Sequence, residues 1–592
     1  MLVNSIKRLE SLIHRLVFGM VCLAATVSAQ STLSLDVGKA TYTINKELYG
    51  GLLENLWRDI YTGLYVGTSS SVPNINGMRK DVIAAFKECG VTTLSWPGGC
   101  AAEKYNWKDG IGPKSSRPGG DMVNGMGTNE YFQLCDSVGS APNITANTSS
   151  LSAAGMTAWL NYIDSLYPNK LKYWKMGNEP WGGCGTTISI TTYINRYNQY
   201  KAAIPSRLAG KFARIADGGT GDYLYSPTWI DSLLKCEMGS IEGVTLHYYG
   251  AFPPGASIDF PENEYYDRVN NVAWKLNSKL AIYDSIMAKY DPDFKIGLMV
   301  DEWGAWYSNV PNKDYTQNSC RDAVIASINL NMFNNRCRRI KMACVAQPVN
   351  IIHPLVLTQN PETNLIVKTP TLYVYKMYKV HQLAKMVPES LSTSFNRNIP
   401  IISSSASVDS TGKLHVSLCN THATSPHTVT ITLKNAPAYN TCTGTIINGP
   451  SYTSYNDFGQ PEKVNIQNFT DAALNGDKVT VTMPAHSVVT LELTPATATG
   501  KSFEKPRTLW SVRSLPGGAI SIQSSAKEES RISLTLFDID GRTVIASEKV
   551  TVKPGANSFI WQKGTRSLCT GIYILNINDG KRTVSERIAL SR

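Results

Sequence analysis

From about Tyr49 the chain alternates short apolar runs with helical patterns, the mark of βα units and of a parallel sheet. Eight runs read as strands: Gly50–Glu54, Thr92–Trp96, Pro142–Ala146, Leu171–Met176, Phe212–Ala216, Val244–His247, Ile296–Val300 and Ile340–Val345. Helical stretches between them include Met78–Cys89, with Val82, Ile83 and Phe86 on one face, and Asp322–Asn335, with Val324, Ile325, Ile328 and Phe333. Eight such units close into an α/β fold, the (β/α)8 TIM barrel, whose chemistry lies at the carboxyl ends of its strands.

Two of those strand ends deliver a glutamate among tryptophans. Lys175-Met-Gly-Asn-Glu179-Pro-Trp181 follows the fourth strand, and Asp301-Glu302-Trp-Gly-Ala-Trp306 follows the seventh. Glycoside hydrolysis needs a carboxyl pair of this kind. One protonates the leaving oxygen, and the other attacks the anomeric carbon or activates a water. Indole faces suit the apolar side of a sugar ring and desolvate a nearby carboxyl, raising its pKa. A single strand-end glutamate is more often a helix cap or a surface ion pair; two in matched settings favour chemistry. Other strand ends add Glu54-Asn55, Trp96-Pro-Gly-Gly-Cys100, Asn147, His247-Tyr-Tyr249 and Gln347 to the same rim.

These stretches, with Gly51-Leu-Leu-Glu-Asn-Leu-Trp-Arg-Asp-Ile-Tyr61, Tyr105-Asn-Trp-Lys-Asp-Gly-Ile-Gly-Pro113 and Asp301–Tyr307, resemble glycoside hydrolase family 51, the α-L-arabinofuranosidases, over roughly Ser34 to Thr494. The resemblance implies a retaining, exo-acting enzyme with Glu179 as acid/base and Glu302 as nucleophile. It also implies that Glu54, Asn178, His247, Tyr249 and Gln347 line the arabinose subsite, with Tyr249 or His247 orienting Glu302. Trp303 and Cys100 join them as substrate-binding candidates, Cys100 standing where many members carry Asn. The expected substrates are side chains of arabinoxylan or arabinan, in hemicellulose or pectin. The alternatives are an endo-β-glucanase or β-xylosidase on the same barrel, or a non-catalytic carbohydrate-binding protein, which would need neither glutamate.

Around this core the chain reads as several parts. Residues 1–29 have a basic start (Lys7, Arg8, Arg15), an apolar stretch and small residues before Gln30, the pattern of a secretory signal peptide, so the mature protein is expected outside the cell or at its surface. Residues 30–44 alternate and are expected to join a β-sandwich at 386–495, built on Ile401–Ser407, Leu414–Leu418, Thr428–Leu433, Val479–Thr482 and Val488–Leu493. The barrel fills 45–385, a linker 496–515, and a small all-β module 516–592. Ile532–Arg542 and Gly571–Leu575 in that module are similar to C-terminal sorting domains of type IX secretion, which implies contact with secretion machinery; a carbohydrate-binding module is the rival reading.

A net charge of +11 suits a basic solvated surface or attraction to an acidic wall polymer. No Lys/Arg run interleaved with aromatics suggests nucleic acid; the apolar stretch of the signal is too short to span a membrane, and no other run approaches the length needed. Eleven cysteines remain after Cys22, with no Cys-x-x-Cys, so one or two disulfides are expected and at least one free thiol. His422 and His427 read as solvent-facing residues of a polar turn. No metal or cofactor is implied, and a homo-oligomer is left open.

Overall fold

The computed structural model describes residues 30–182, 184, 187–219, 227–251, 258–306, 314–360, 362–496, 510–515, 519–526, 529–538, 543–553, 555–561, 568, 571–578 and 583–590. The expected signal peptide and most of the expected linker lie outside these residues. The described residues up to Ala496 pack as one compact unit, and those from Trp510 as a second.

Eight parallel strands close a barrel in chain order: Gly50–Leu52, Thr93–Trp96, Ala141–Ala146, Tyr173–Met176, Ala213–Ala216, Gly243–Ala251, Gly297–Trp306 and Ile340–Ala346, the last pairing back onto the first. These are referred to below as barrel strands one to eight. The runs are short because each is bounded by glycine, proline or polar turn residues, and continuous in apolar character because helices cover the outside. Inside, Leu52, Ile215, Met299, Met342, Cys344 and Ala346 plug the barrel below the catalytic end. Outside, Trp159, Trp174, Val324, Ile328, Phe333 and Tyr375 belong to a larger core between strands and helices.

Strand seven differs from the expected Ile296–Val300 by running on to Trp306. Its pairing with strand six steps from Met299↔Thr245 to Glu302↔His247, three residues against two, so one extra residue bulges near Val300-Asp301. A bulge interrupts the strict in/out alternation of a strand and re-aims the side chains that follow it.

Two sheets form the sandwich. One is ordered Glu389–Ser392, Gln30–Asp36, His427–Lys434, Lys478–Met483 and Ala472–Asn475. The other holds Lys385–Met386, Ile402–Val408, Leu414–Asn420, Val488–Pro495, Tyr439–Ile447 and Ile466–Phe469. Gln30–Asp36 pairs parallel with His427–Lys434, so this sandwich is not wholly antiparallel. Leu33, Leu35, Val429, Ile431, Val479 and Val481 face Val416, Leu418 and Leu491 across the core. His427 is not a turn residue: it opens a strand, is buried, and lies 2.7 Å from Ser31 Oγ. The second unit contains sheets of three and four strands around Ile520, Ile522, Leu534, Leu536, Leu575 and Ile577. Among the described residues no helix is long and apolar enough to cross a membrane.

Helix Cys320–Asn335 joins barrel to sandwich through a buried polar seam. Asn331 donates to Ser403 Oγ at 3.1 Å and accepts from Ser405 Oγ at 2.8 Å, while Asn334 donates to Ser405 Oγ at 3.2 Å and accepts from Tyr49 at 2.9 Å. Buried hydroxyls deprived of partners cost about 1–3 kcal/mol each. Asn331→Leu is therefore expected to lower the unfolding free energy by about that amount, measured by urea denaturation. An unchanged midpoint would show that the seam contributes nothing.

Candidate active site

Barrel strand four sends Trp174 outward, edge-on to Trp159, and Lys175 inward, where it is fully buried. The strand ends in a turn that only glycine fits: Gly177 has φ +87°, and a Cβ there would meet Thr148 Oγ1 at 2.7 Å. Glu179 follows with φ +46°, the left-handed region that glutamate rarely adopts. Two buried carboxylates hold this turn: Glu103 Oε1 accepts from the Asn178 N–H at 2.6 Å, and Asp217 Oδ2 from the Glu179 N–H at 2.9 Å.

Across the barrel, the bulge in strand seven lets Asp301 and its neighbour Glu302 both serve the interior. Asp301 Oδ2 accepts from Lys175 Nζ at 2.8 Å, and both partners are almost wholly buried. Glu302 Oε2 accepts from the Tyr249 hydroxyl at 2.9 Å. His247, on strand six, stands between the glutamates, with Nδ1 2.8 Å from Glu179 Oε1 and 3.4 Å from Glu302 Oε2. Ligating atoms of Glu179, His247 and Glu302 all fall within 4.8 Å of one another. Lys175 extends the network, donating to Asn178 Oδ1 at 2.7 Å and lying 3.2 Å from His247 Nε2. That contact fixes the Asn178 amide with its NH2 on the opposite side, where it reaches Cys184 Sγ at 3.3 Å.

Glu54 and Gln347 meet at the rim, Gln347 Nε2 donating to Glu54 Oε2 at 2.8 Å, while the Ala101 N–H donates to Glu54 Oε1 at 3.1 Å. The second loop approaches this closely because Gly98, at φ +101°, carries no Cβ; one would lie 2.5 Å from Glu54 Cα. Asn147 turns away from the pocket and ties its own loop, donating to Tyr105 O and Ser150 Oγ. Two expected contacts need correction. Cys100 offers no thiol, because it is disulfide-bonded to Cys184, with Cα atoms 4.8 Å apart; the bridge lies against Glu179 and Asn178. Trp303 is not in the pocket. With Glu302 facing in, the next residue faces out, and Trp303 is fully buried between Phe333, His353 and Tyr375.

Lys175, Asp301, Glu103, Asp217 and Cys184 are additions that the sequence reading did not select. A lysine inside a buried strand is itself a signal, since lysine is almost never buried without a partner. The two anchoring acids and the cysteine pairing carry no local pattern that would mark them.

Two carboxylates this close in a buried pocket cannot both ionise freely. Burial, and then repulsion by Glu179 against the opposing pull of His247, pushes Glu302 up to about 8. Burial acts the same way on Glu179, but the hydrogen bond and charge of His247, then Lys175, outweigh it and hold Glu179 below the usual range. Burial works to depress His247, yet the charges of Glu302 and Asp301 carry it well above its ordinary value. Asp217 is raised by burial to about 6, with Lys175 and His247 partly offsetting it. The pair thus keeps one proton through neutral pH, within reach of His247 on either side.

Paired carboxylates of this spacing at the carboxyl end of a (β/α)8 barrel define a glycoside hydrolase. Residues 301–487 match the family described as the alpha-L-arabinofuranosidase C-terminal domain, and residues 517–591 the secretion system C-terminal sorting domain. An intracellular exo-alpha-L-arabinofuranosidase of Bacteroides ovatus is 37% identical over 515 residues, covering 80% of this chain and 97% of that protein. The crystal structure of the GH51 arabinofuranosidase from Xanthomonas axonopodis pv. citri has a TM-score of 0.74 at 30% identity, covering 79% of this chain and 100% of that one. The arabinose complex of the Thermotoga maritima α-L-arabinofuranosidase, at 23% identity and TM-score 0.68 over 78% and 99% of the two chains, shares the fold. The chain belongs to glycoside hydrolase family 51, the α-L-arabinofuranosidases. The endo-β-glucanase, β-xylosidase and non-catalytic alternatives are not favoured by these relatives.

A pair that works while holding one proton is active between its two ionisations. Loss of that proton removes the acid, so kcat/KM is expected to fall as pH rises through about 8, the value to which Glu302 is pushed. A flat profile to pH 10 would contradict this reading.

Proposed function

We propose that this enzyme releases terminal α-L-arabinofuranosyl residues from side chains of arabinoxylan or arabinan with retention of configuration, Glu302 acting as nucleophile and Glu179 as acid/base. The carrying observation is the approach of the two glutamates around His247, with ligating oxygens no more than 4.8 Å apart. Retaining pairs stand roughly 5–5.5 Å apart, inverting pairs farther, because only the latter must admit a water between carboxyl and sugar.

In the first step Glu302 attacks the anomeric carbon as Glu179 protonates the departing oxygen. Positive charge growing at that carbon favours the ionised form of Glu302, and so does the hydrogen bond donated by Tyr249. The pair's proton is thereby drawn to Glu179, with His247 in reach of both carboxyls. In the second step Glu179, now a carboxylate, deprotonates the water that cleaves the glycosyl ester. Asn178, its amide oriented by Lys175, donates to the sugar 2-hydroxyl, a contact that strengthens in the transition state. Glu54 and Gln347, already hydrogen-bonded to each other, take further ring hydroxyls. The division of labour along the chain is catalysis in 45–385, structural support from 30–44 and 386–495, and sorting by 516–592 after removal of 1–29 and export to the surface or medium.

Glu179→Ala is expected to cut kcat on unactivated arabinosides by about 10²–10⁴-fold, the usual share of general acid catalysis. Aryl arabinosides with good leaving groups lose far less, and azide restores their turnover. Equal loss on all substrates without rescue would remove the assignment. Deleting residues from Gly500 onward is expected to leave the specific activity intact and hold the enzyme in the periplasm, read by cell fractionation. Normal export with lost polymer binding would instead make the module a carbohydrate binder.

A further inference from the structure

Glu179 holds an unfavourable backbone conformation just where its carboxyl direction matters most. A bulky residue in the left-handed region costs on the order of 1–3 kcal/mol and persists only when its surroundings over-determine it. The surroundings here are specific. The Asn178 N–H is taken by Glu103 Oε1 at 2.6 Å, and the other oxygen of Glu103 accepts from Ser149 N–H at 2.8 Å and Thr148 N–H at 3.1 Å. The Glu179 N–H is taken by Asp217 Oδ2 at 2.9 Å, while Asp217 Oδ1 accepts from the Thr245 hydroxyl at 2.9 Å. Asp217 is locked from behind as well: its own N–H donates to the Tyr193 hydroxyl at 2.6 Å, and that hydroxyl donates to Met176 O at 2.9 Å. Successive N–H groups of one turn are thus gripped by carboxylates that reach in from opposite sides, the second barrel loop and the end of strand five. Glu103 is 5% exposed and Asp217 fully buried, so neither grip is diluted by water.

We infer that Asp217 and Glu103 are positioning residues for the leaving-group proton: they clamp the turn so that the Glu179 carboxyl points at the glycosidic oxygen. This rests on Glu179 being the acid. Neither clamp residue makes a hydrogen bond to the carboxyl of Glu179 or of Glu302. Their action runs through the backbone. Without an acceptor for its N–H, the turn relaxes toward the right-handed region and the Glu179 carboxyl swings away from the oxygen it protonates. A misplacement of about 1 Å is enough to cost about 10²-fold in rate.

The effect has a signature that loss of folding lacks. Departure of a dinitrophenolate needs no proton, whereas departure of a sugar alkoxide does. The test compares kcat/KM, which reports the bond-breaking step before the glycosyl ester is hydrolysed, on a dinitrophenyl α-L-arabinofuranoside and on an unactivated arabino-oligosaccharide for Asp217→Ala, Asp217→Asn, Glu103→Ala, Thr245→Val and Glu179→Ala. Both clamp alanine variants are expected to lose about 10²-fold on the oligosaccharide and less than about 3-fold on the dinitrophenyl substrate. Asp217→Asn keeps a carbonyl oxygen for the Glu179 N–H, and is expected to stay within about 5-fold of wild type on both. Thr245→Val removes the donor to the far oxygen of Asp217 and the acceptor of the Gly218 N–H while leaving the Asp217 contact to Glu179 in place, which guards against a misfolded alanine variant; about 10-fold loss, confined to the oligosaccharide, is expected. Equal losses on both substrates, an asparagine variant as slow as the alanine, or Thr245→Val at wild-type rates would overturn the clamp. If Glu179→Ala alone shows the leaving-group dependence, the clamp fails and the acid assignment stands. If Glu179→Ala slows both substrates equally, the acid assignment fails and takes the clamp with it.

Discussion

Beneath the pocket, one buried ion pair holds Asn178 and His247 directly and, through His247, the two glutamates. Lys175 and Asp301 come from strands on opposite sides of the barrel and meet at 2.8 Å where neither sees solvent. A lone buried charge of either sign would be untenable, and removing one partner of such a pair typically costs about 3–5 kcal/mol. The pair does more than neutralise itself. Lys175 orients the Asn178 amide and abuts His247, while Asp301 Oδ1 lies 3.3 Å from His247 Nε2. His247 then meets both glutamates. Position and proton affinity in the glutamate pair are therefore set from below, through buried groups.

The barrel was legible in the sequence because its strands are short apolar runs at regular spacing, and the eight expected strands begin within two residues of those observed, although strands six and seven run on past their expected ends. Glu179 and Glu302 were legible as strand-end acids beside tryptophan. What the sequence concealed depends on departures from regular geometry. Strict alternation along strand seven would turn Asp301 away whenever Glu302 faces in; the bulge near Val300-Asp301 admits both, and no residue type there announces it. The same geometry sends Trp303 into the helix layer, so adjacency to a glutamate misled where alternation from Glu302 onward would have placed it. Trp181 likewise lies edge-on to His247 instead of standing free as a sugar platform, with ring centroids 5.4 Å apart.

Cys100 and Cys184 illustrate a second limit. They are 84 residues apart, among eleven cysteines of the chain beyond residue 29, and nothing in their spacing selects this pairing. The structure joins them because the second and fourth barrel loops converge on the same rim, which is also why Glu103 of the second loop reaches the Asn178 backbone. A disulfide beside the pocket suits an oxidising compartment. That agrees in sense with the sorting domain matched at residues 517–591, and contrasts with the intracellular relative from Bacteroides ovatus.

In the proposed mechanism Glu302 is the group that forms a bond to the sugar. An arabinofuranose-configured epoxide or aziridine, which a retaining nucleophile opens to a stable ester, tests it through peptide mapping by mass spectrometry. One label per chain is expected, on the peptide carrying Asp301-Glu302-Trp303 and assigned to Glu302, with protection by excess arabinose. A label on Glu179, or inactivation with no adduct on either glutamate, would contradict it.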